Sequence, residues 1–182
     1  WEYHQDYRLR NTIYPLVHVA PLWLLKTLGL DTNMAVRLCP YLFHALFVII
    51  SDHYLWLVGK ETVGKNATQT AFIFYLTNRV QNSLIIRPFT NSIEEMLTII
   101  GFYYYLRVNN TLSKNTAIFT ALVSLQFMMR NTSPIGWIPL LFIKVFRDGA
   151  FFPFLTCAVF VAMPILVLAT TLDSWYYSQE LP

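Results

Sequence analysis

The sequence has few charged residues, and this scarcity indicates the class of protein. Lysine, arginine, aspartate and glutamate make up 13% of the 182 residues, whereas soluble domains carry about 25%. Hydrophobic residues make up 55%, and the mean hydropathy is +0.44. With a net charge of +3 and no cluster of Lys or Arg, the chain has no basic surface for nucleic acid. The composition therefore predicts a membrane-embedded protein that binds no nucleic acid.

Glycine and cysteine are also scarce. Six glycines form no glycine-rich loop for a nucleotide phosphate, and neither a metal-ligand spacing nor a Ser-His-Asp order occurs. The two cysteines, Cys39 and Cys157, lie in apolar stretches, so we interpret them as small buried hydrophobic residues rather than a disulfide or a metal site. We predict no cofactor and no metal, and any enzyme of this sequence would use a donor other than a nucleotide.

Apolar segments are what the sequence has in abundance. A membrane-spanning helix needs about 20 mostly apolar residues, and the segment 150–172 meets that length without a charge. The segment 13–30 contains prolines, a histidine and a lysine, which favours an interfacial or kinked helix. We predict an all-α polytopic membrane protein, a helical bundle of about six spans. The shorter or interrupted segments are 39–59, 66–86, 94–106, 115–129 and 134–146.

Positive charges in short loops predict how the bundle is oriented, because they favour the cytoplasmic side. Six of the 13 Lys and Arg residues lie in three such loops: 60–65, 107–114 and 144–149. The start of the chain, the segment 86–93 and the end of the chain would then lie on the opposite side. The predicted parts are a non-cytoplasmic loop and interfacial helix over 1–38, a transmembrane bundle over 39–172 and a non-cytoplasmic tail over 173–182.

The segment RPFTNSIEE, residues 87–95, places charged side chains between apolar runs. Pro88 breaks the preceding helix, and Ser92 with Glu95 has the spacing of a capping box at the start of the next helix. Capping leaves Arg87 unexplained: it either snorkels at the membrane boundary or binds an anionic group such as a phosphate. Broken spans of this kind occur where protein or water surrounds them, so we predict an internal polar site on the non-cytoplasmic side.

Two other polar stretches flank apolar segments. MMRNTSPIG (128–136) repeats the pattern, and Arg130 lies on the same predicted side as Arg87. Two arginines facing one pocket would suit a phosphate-bearing ligand, and a snorkelling pair is the alternative. WEYHQDYRLRNTIYP (1–15) mixes aromatic and charged residues, which is typical of the membrane interface and also of contact with a carbohydrate or a lipid headgroup.

Asp52 and His53 lie inside the predicted span 39–59. An ionisable residue within a span is a functional candidate, and an Asp–His pair can relay protons. Asp52 lies toward the cytoplasmic end of the span, however, which favours a hydrogen bond between helices.

Four stretches, in order along nearly the whole chain, resemble segments of the dolichyl-phosphate-mannose-dependent mannosyltransferases. WEY…RLRNTIYPL (1–16) is similar to W-E-(W/Y/F)…L-R-S-x-x-Y-P in their first luminal loop. RPFTNSIEEMLTIIGFYYYL (87–106) is similar to R-(T/P)-(L/F)-(T/S)-N-(T/S)-x-E…L. FMMRNTSPIGWIPLLF (127–142) resembles I-R-P-T-(A/S)-x-x-x-W-x-P-L, and LDSWYY (172–177) resembles D-(R/S)-x-(Y/F)-(Y/F) after a long span.

This resemblance implies a GT-C-type multi-span fold in the endoplasmic reticulum membrane, in contact with its lipids. It implies luminal transfer of mannose from dolichyl phosphate mannose to a GPI-anchor precursor glycolipid, as the third mannose in α-1,2 linkage. Transfer to the lipid-linked oligosaccharide, or of the fourth GPI mannose, stays open as an alternative. A luminal carboxylate would be the general base that activates the acceptor hydroxyl.

The resemblance also implies which residues bind substrate. They are Arg87, Asn91 and Glu94 in the luminal pocket, Trp1, Glu2 and Arg10 on its loop wall, and Arg130. One of the three arginines would neutralise the donor phosphate. The catalytic residue is unknown, because the family's acidic motif lies upstream of Trp1. The final WYYSQELP resembles a loop that normally follows much later, so we expect a deletion or a mis-spliced gene model there. Because the catalytic base and part of the pocket would be missing, we expect a fragment that is inactive alone.

The alternative from another class is a polytopic transporter or a lipid-binding membrane protein. Such a protein would contain inverted internal repeats with paired broken helices. The two halves of the sequence show no such symmetry, which favours the transferase.

Overall fold

The computed structural model describes residues 12–130 and 132–179, and over these residues it is helical without strands. This confirms the predicted all-α class. The helices are α1 (Ile13–Thr27), α2 (Asn33–Thr62), α3 (Lys65–Thr77), α4 (Arg79–Ile85), α5 (Thr90–Leu106), α6 (Lys114–Met129), α7 (Pro134–Phe146), α8 (Phe151–Cys157) and α9 (Met163–Gln179). They form two compact units. The first unit is Pro15–Tyr103, and the second combines the described parts of Trp1–Tyr14 and Tyr104–Pro182.

In the first unit, α2 and α3 form a closely packed pair. The hydroxyl of Thr32 accepts a hydrogen bond from the backbone N–H of Ala35 (3.3 Å) and so caps the start of α2. A Cβ atom added at Gly59 would lie 2.7 Å from the Thr68 side chain, so glycine is what lets the two helices approach. Gly64, with φ of +86°, makes the turn that leads into α3.

Histidines join α1 to α2. The Nε2 atoms of His18 and His44 lie 3.1 Å apart, and the two rings stack with centroids 5.2 Å apart. Neutral imidazole both donates and accepts, which allows this contact, and His44 is fully buried. The two histidines thus fix the face of α1 that packs on α2.

The segment 66–86 is two helices rather than the single span predicted. The chain is extended at Asn78 (φ −72°, ψ 91°), whose side chain accepts a hydrogen bond from the Gln81 N–H (3.2 Å) to cap α4. The side-chain amide of Asn82 donates to the Leu76 carbonyl (2.6 Å), one of the carbonyls left open where α3 ends. These polar side chains satisfy the backbone at the break, which explains why the apolar run does not continue as one helix.

In the second unit, α6 packs against α7, α8 and α9. Phe119 of α6 and Trp137 of α7 meet edge to face, with ring centroids 5.2 Å apart. Trp137 also donates its indole N–H to the side-chain oxygen of Gln126 (2.7 Å), and Gln126 is fully buried. A buried polar group is stabilised only when it has a hydrogen-bond partner, so this bond specifies how α7 lies on α6.

One π-helical turn, Ala158–Ala162, interrupts the last long helix between α8 and α9. The Met163 N–H donates to the Ala158 carbonyl, and Pro164 then has no N–H to donate, so the α-helical pattern cannot continue unchanged. Cys157 at the end of α8 is buried, Cys39 is half-buried, and both are free thiols. Neither forms a disulfide.

Two helices in the described residues are long and apolar enough to span a membrane, Asn33–Thr62 and Phe151–Ser178, and Pro134–Phe146 is a shorter apolar helix. The part of the chain that the structure describes is therefore all-helical and has two candidate spans. The count of about six spans and the three-part division of the chain stay predictions.

Candidate functional site

Arg87 lies in the turn that connects α4 to α5. The Arg87 N–H donates to the Leu84 carbonyl (3.1 Å), and its own carbonyl accepts from the Phe89 N–H (2.7 Å). Pro88 supplies no N–H, which ends the helical hydrogen-bonding pattern. The Arg87 side chain is exposed, and within the described residues its guanidinium has no hydrogen-bond or ion-pair partner. The backbone of this turn is therefore fixed while the cation is available.

The capping box predicted for Ser92 and Glu95 is wrong. Because α5 begins at Thr90, Ser92 lies inside the first turn, and its hydroxyl donates to the Leu84 carbonyl (3.3 Å). The Glu95 carboxylate accepts instead from the side-chain amide of Gln81 (2.6 Å). These two hydrogen bonds join α5 to α4, so both side chains brace the turn that carries Arg87.

Asn91 and Glu94 follow Arg87 in the first turn of α5. Asn91 is exposed and Glu94 is half-buried, and residues three apart lie on the same face of a helix. The intervening Ile93, by contrast, is only 3% exposed. The structure thus gathers three predicted site residues into one stretch that is positioned by the bonds between α4 and α5. A guanidinium beside an amide and a carboxylate can bind a phosphate and neighbouring hydroxyl groups.

The other predicted site residues belong to the second unit or lie outside the described residues. Arg130 belongs to the second unit, where it is exposed, and its N–H donates to the carbonyl of buried Gln126 (2.8 Å). That Arg130 shares a pocket with Arg87 therefore stays a prediction. Trp1, Glu2 and Arg10 lie outside the described residues.

Asp52 has a structural role. The Tyr75 hydroxyl of α3 donates to the Asp52 carboxylate of α2 (2.9 Å), which confirms the predicted hydrogen bond between helices. His53 is exposed and packs its ring against Tyr54, with centroids 5.9 Å apart. The alternative of a proton relay through Asp52 and His53 has no support in this geometry.

A contact that the sequence analysis missed joins the two ends of the second unit. The backbone N–H and the hydroxyl of Thr12 both donate to one carboxylate oxygen of Asp173, at 2.9 and 2.6 Å. Thr12 and Asp173 lie in stretches quoted above for their resemblance, RLRNTIYPL and LDSWYY. That shared occurrence was the signal in the sequence, but neither residue was chosen as a candidate.

Lys144 occupies a very different environment from Arg87. Its ammonium donates to the Val108 carbonyl (3.0 Å), pairs with Asp148 (3.0 Å) and lies 5.3 Å from the centroid of the Tyr105 ring. The Lys144 side chain is 13% exposed. This cation is already bound by the protein itself. Across the described ranges, no group of three or more His, Cys, Asp or Glu residues could hold a metal ion.

Comparisons with known proteins point to one family. The model of the Alg9-like mannosyltransferase family matches residues 1–181. Similar curated proteins include GPI alpha-1,2-mannosyltransferase 3 of Bos taurus, which is 33% identical over 78% of this chain and 26% of the relative. The Homo sapiens protein of the same name is 32% identical over 78% of this chain and 25% of its own length. GPI mannosyltransferase 3 of Yarrowia lipolytica is 28% identical over 75% of this chain and 27% of the relative.

These alignments cover most of this chain but only a small part of each relative. The chain spans about a quarter of the length of the curated relatives that it matches. No solved structure gives a significant match to the chain.

Proposed function

Because the chain belongs to the Alg9-like mannosyltransferase family, we propose that the protein transfers mannose from dolichyl phosphate mannose to a GPI-anchor precursor glycolipid. The product would carry its third mannose in α-1,2 linkage. The observation that carries this proposal is the match over residues 1–181 together with relatives named GPI alpha-1,2-mannosyltransferase 3. Those names favour this step over addition of the fourth mannose or transfer to the lipid-linked oligosaccharide.

Arg87 is the proposed contact to the phosphate of the donor. An exposed guanidinium on a fixed turn, without a partner among the residues that the structure describes, can make bidentate, charge-assisted hydrogen bonds to a phosphate. The phosphate is the leaving group, and its negative charge grows as the bond to mannose breaks, so a cation there stabilises the transition state. Asn91 and Glu94 would bind sugar hydroxyl groups beside it. Trp1, Glu2, Arg10 and Arg130 remain proposed parts of the same pocket.

The proposed setting is the endoplasmic reticulum membrane, with a GT-C-type bundle of about six spans and the pocket on the luminal side. Two contacts in the second unit support this orientation. Val108 belongs to the positively charged loop 107–114 and Lys144 to the positively charged loop 144–149. Lys144 donates a hydrogen bond to the Val108 carbonyl. Thr12 and Asp173 belong to parts that the orientation assigns to the opposite side, and they too are bonded to each other. The proposed parts remain 1–38, 39–172 and 173–182.

Complementation tests the proposed function. The full-length protein would be expressed in cells that lack GPI mannosyltransferase 3, and surface GPI-anchored proteins would be counted by flow cytometry. We expect wild-type protein and the Arg79→Ala variant to restore the surface signal, and Arg87→Ala to restore little of it. Failure of the wild-type protein to restore the signal, at normal expression, would reject the function. Full rescue by Arg87→Ala would reject the site.

A further inference from the structure

Two hydrogen bonds connect α4 to α5 at different positions along α4. The side-chain amide of Gln81, in the first turn of α4, donates to the Glu95 carboxylate (2.6 Å). The hydroxyl of Ser92 donates to the carbonyl of Leu84, in the last turn of α4 (3.3 Å). A single bond would let the two helices rotate about it. Two bonds at different positions restrict both the spacing of the helices and the angle between them.

The Leu84 carbonyl connects the second of these bonds to the turn that carries Arg87. It accepts the Ser92 hydroxyl and also the backbone N–H of Arg87 (3.1 Å). Ser92 is 6% exposed, so water competes little for its hydroxyl, and a buried hydroxyl without an acceptor costs free energy. The backbone position of Arg87 is therefore coupled to the position of α5.

This coupling concerns residues with different proposed contacts. Arg87 follows α4 and is the proposed contact to the donor phosphate, whereas Asn91 and Glu94 lie in α5 and are the proposed contacts to the sugar. The way α5 is held against α4 thus sets the distance from the cation to the two sugar contacts. The phosphate and the mannose of the donor are covalently joined, so both contacts form together only if this distance is correct.

We propose, on the basis of the function proposed above, that Gln81 and Ser92 are positioning residues that set the spacing between Arg87 and the sugar contacts of α5. Neither residue is assigned a chemical step, because both act through the position of Arg87 relative to α5. Dolichyl phosphate mannose occupies both parts of the site and depends on this spacing, whereas dolichyl phosphate occupies only the phosphate part. Loss of either bond should therefore weaken binding of the donor more than binding of dolichyl phosphate.

Kinetics of the full-length protein in membranes test this difference. The two readouts are KM for dolichyl phosphate mannose and the inhibition constant of dolichyl phosphate. For Ser92→Ala and for Gln81→Ala we expect KM to rise about fivefold, the size expected for loss of one hydrogen bond, while the inhibition constant stays near the wild-type value. Ser92→Thr keeps the hydroxyl and Gln81→Lys keeps an N–H donor, so both should have a KM near that of the wild type.

Ser83→Ala is the matched control for Ser92→Ala. The Ser83 hydroxyl also donates to a backbone carbonyl of α4, that of Val80 (2.9 Å). This bond lies within α4 and joins no second helix. Its loss should leave both KM and the inhibition constant unchanged.

A double variant separates the positioning role from a general loss of folding. With Arg87→Ala already present, adding Ser92→Ala should raise KM much less than it does alone, because the spacing no longer joins two contacts. Unchanged KM in both alanine variants, an equal rise of KM and the inhibition constant, or a full further rise in the double variant would overturn the inference alone. Wild-type protein without mannosyl transfer would reject the proposed function and this inference with it, so the two failures are distinguishable.

Discussion

Arg87 and Lys144 are two cations in different units of the molecule, and their surroundings differ in kind. Lys144 is nearly buried, and its ammonium contacts a backbone carbonyl, a carboxylate and an aromatic ring. Arg87 is exposed, and its guanidinium has no such partner within the described residues. Arg87 follows the apolar helix α4, and Lys144 lies near the end of the apolar helix α7. Their positions in the sequence therefore do not show which of the two could bind a ligand.

These different surroundings indicate which of the two cations can bind a ligand. Lys144 donates to the Val108 carbonyl, which lies in the loop after α5. Its charge is thereby compensated by the fold. Among the described residues no group compensates the charge of Arg87, while Ser92 and Glu95 hold the turn in place. A fixed cation with this exposure can bind a phosphate, whereas Lys144 stabilises the second unit.

The largest expected effect is on activity at Arg87. For Arg87→Ala we expect mannose transfer per folded molecule to fall about 100-fold or more, because removal of one donor that stabilises transition-state charge costs that much. Arg87→Lys keeps the charge but loses the bidentate fork, so it should retain intermediate activity. The initial rate of mannose transfer from labelled donor, divided by the amount of detergent-extracted protein, measures this loss of activity.

Arg79→Ala provides the control for that comparison. Arg79 is an exposed arginine of the same unit, in α4, so its loss changes the net charge equally. Equal losses in the two variants would mean that overall charge, rather than a contact at Arg87, supports the reaction.

At Lys144 the expected effect is on stability. Lys144→Met keeps most of the aliphatic stem but leaves the Val108 carbonyl without its donor, which should lower the free energy of unfolding by about 2 kcal/mol. Transfer per folded molecule should stay near the wild-type value. Thermal unfolding in detergent measures the first quantity, with exposed Lys114→Met as the control that changes little. A Lys144→Met variant with normal stability but low activity would contradict the structural role of Lys144.

A smaller effect is expected at Asp52, an ionisable side chain in the same unit as Arg87 that does have a partner. Tyr75→Phe removes the hydroxyl that donates to the Asp52 carboxylate, and we expect a loss of about 1 kcal/mol of unfolding free energy. Tyr41→Phe, at an exposed tyrosine, should change the free energy of unfolding little. If Tyr75→Phe lowered the transfer rate of the folded protein severalfold, Asp52 would have to be counted among the functional residues.

Local features of the fold could be predicted from the sequence, whereas the partners of distant contacts could not. The segment 134–146 is a helix as predicted, because Pro134 favours the first turn of a helix. The capping box failed because Ser92 has a carbonyl of α4 within reach, and spacing along one helix does not show neighbouring backbone. The contact between Thr12 and Asp173 joins residues 161 apart, and no periodicity relates such positions.

The candidate site was predicted in part for the same reason. Arg87, Asn91 and Glu94 are close in sequence, so a short turn followed by a helix brings them together whatever the rest of the fold is. The resemblance supplied the reason to choose them. The break at Asn78, by contrast, depends on two hydrogen bonds. The Asn78 side chain accepts from the Gln81 N–H, and the Asn82 side chain donates to the Leu76 carbonyl. A hydropathy pattern does not detect such bonds.

Transfer of labelled mannose in vitro tests whether Arg87 binds the donor and Lys144 does not. Membranes from cells without endogenous activity would contain the full-length protein as wild type, Arg87→Ala or Lys144→Met, with labelled dolichyl phosphate mannose and a GPI precursor that carries two mannoses. We expect a labelled glycolipid, sensitive to α-1,2-mannosidase, from wild type and Lys144→Met and almost none from Arg87→Ala. Label that stays in the donor with wild-type protein, or equal product from Arg87→Ala, would contradict it.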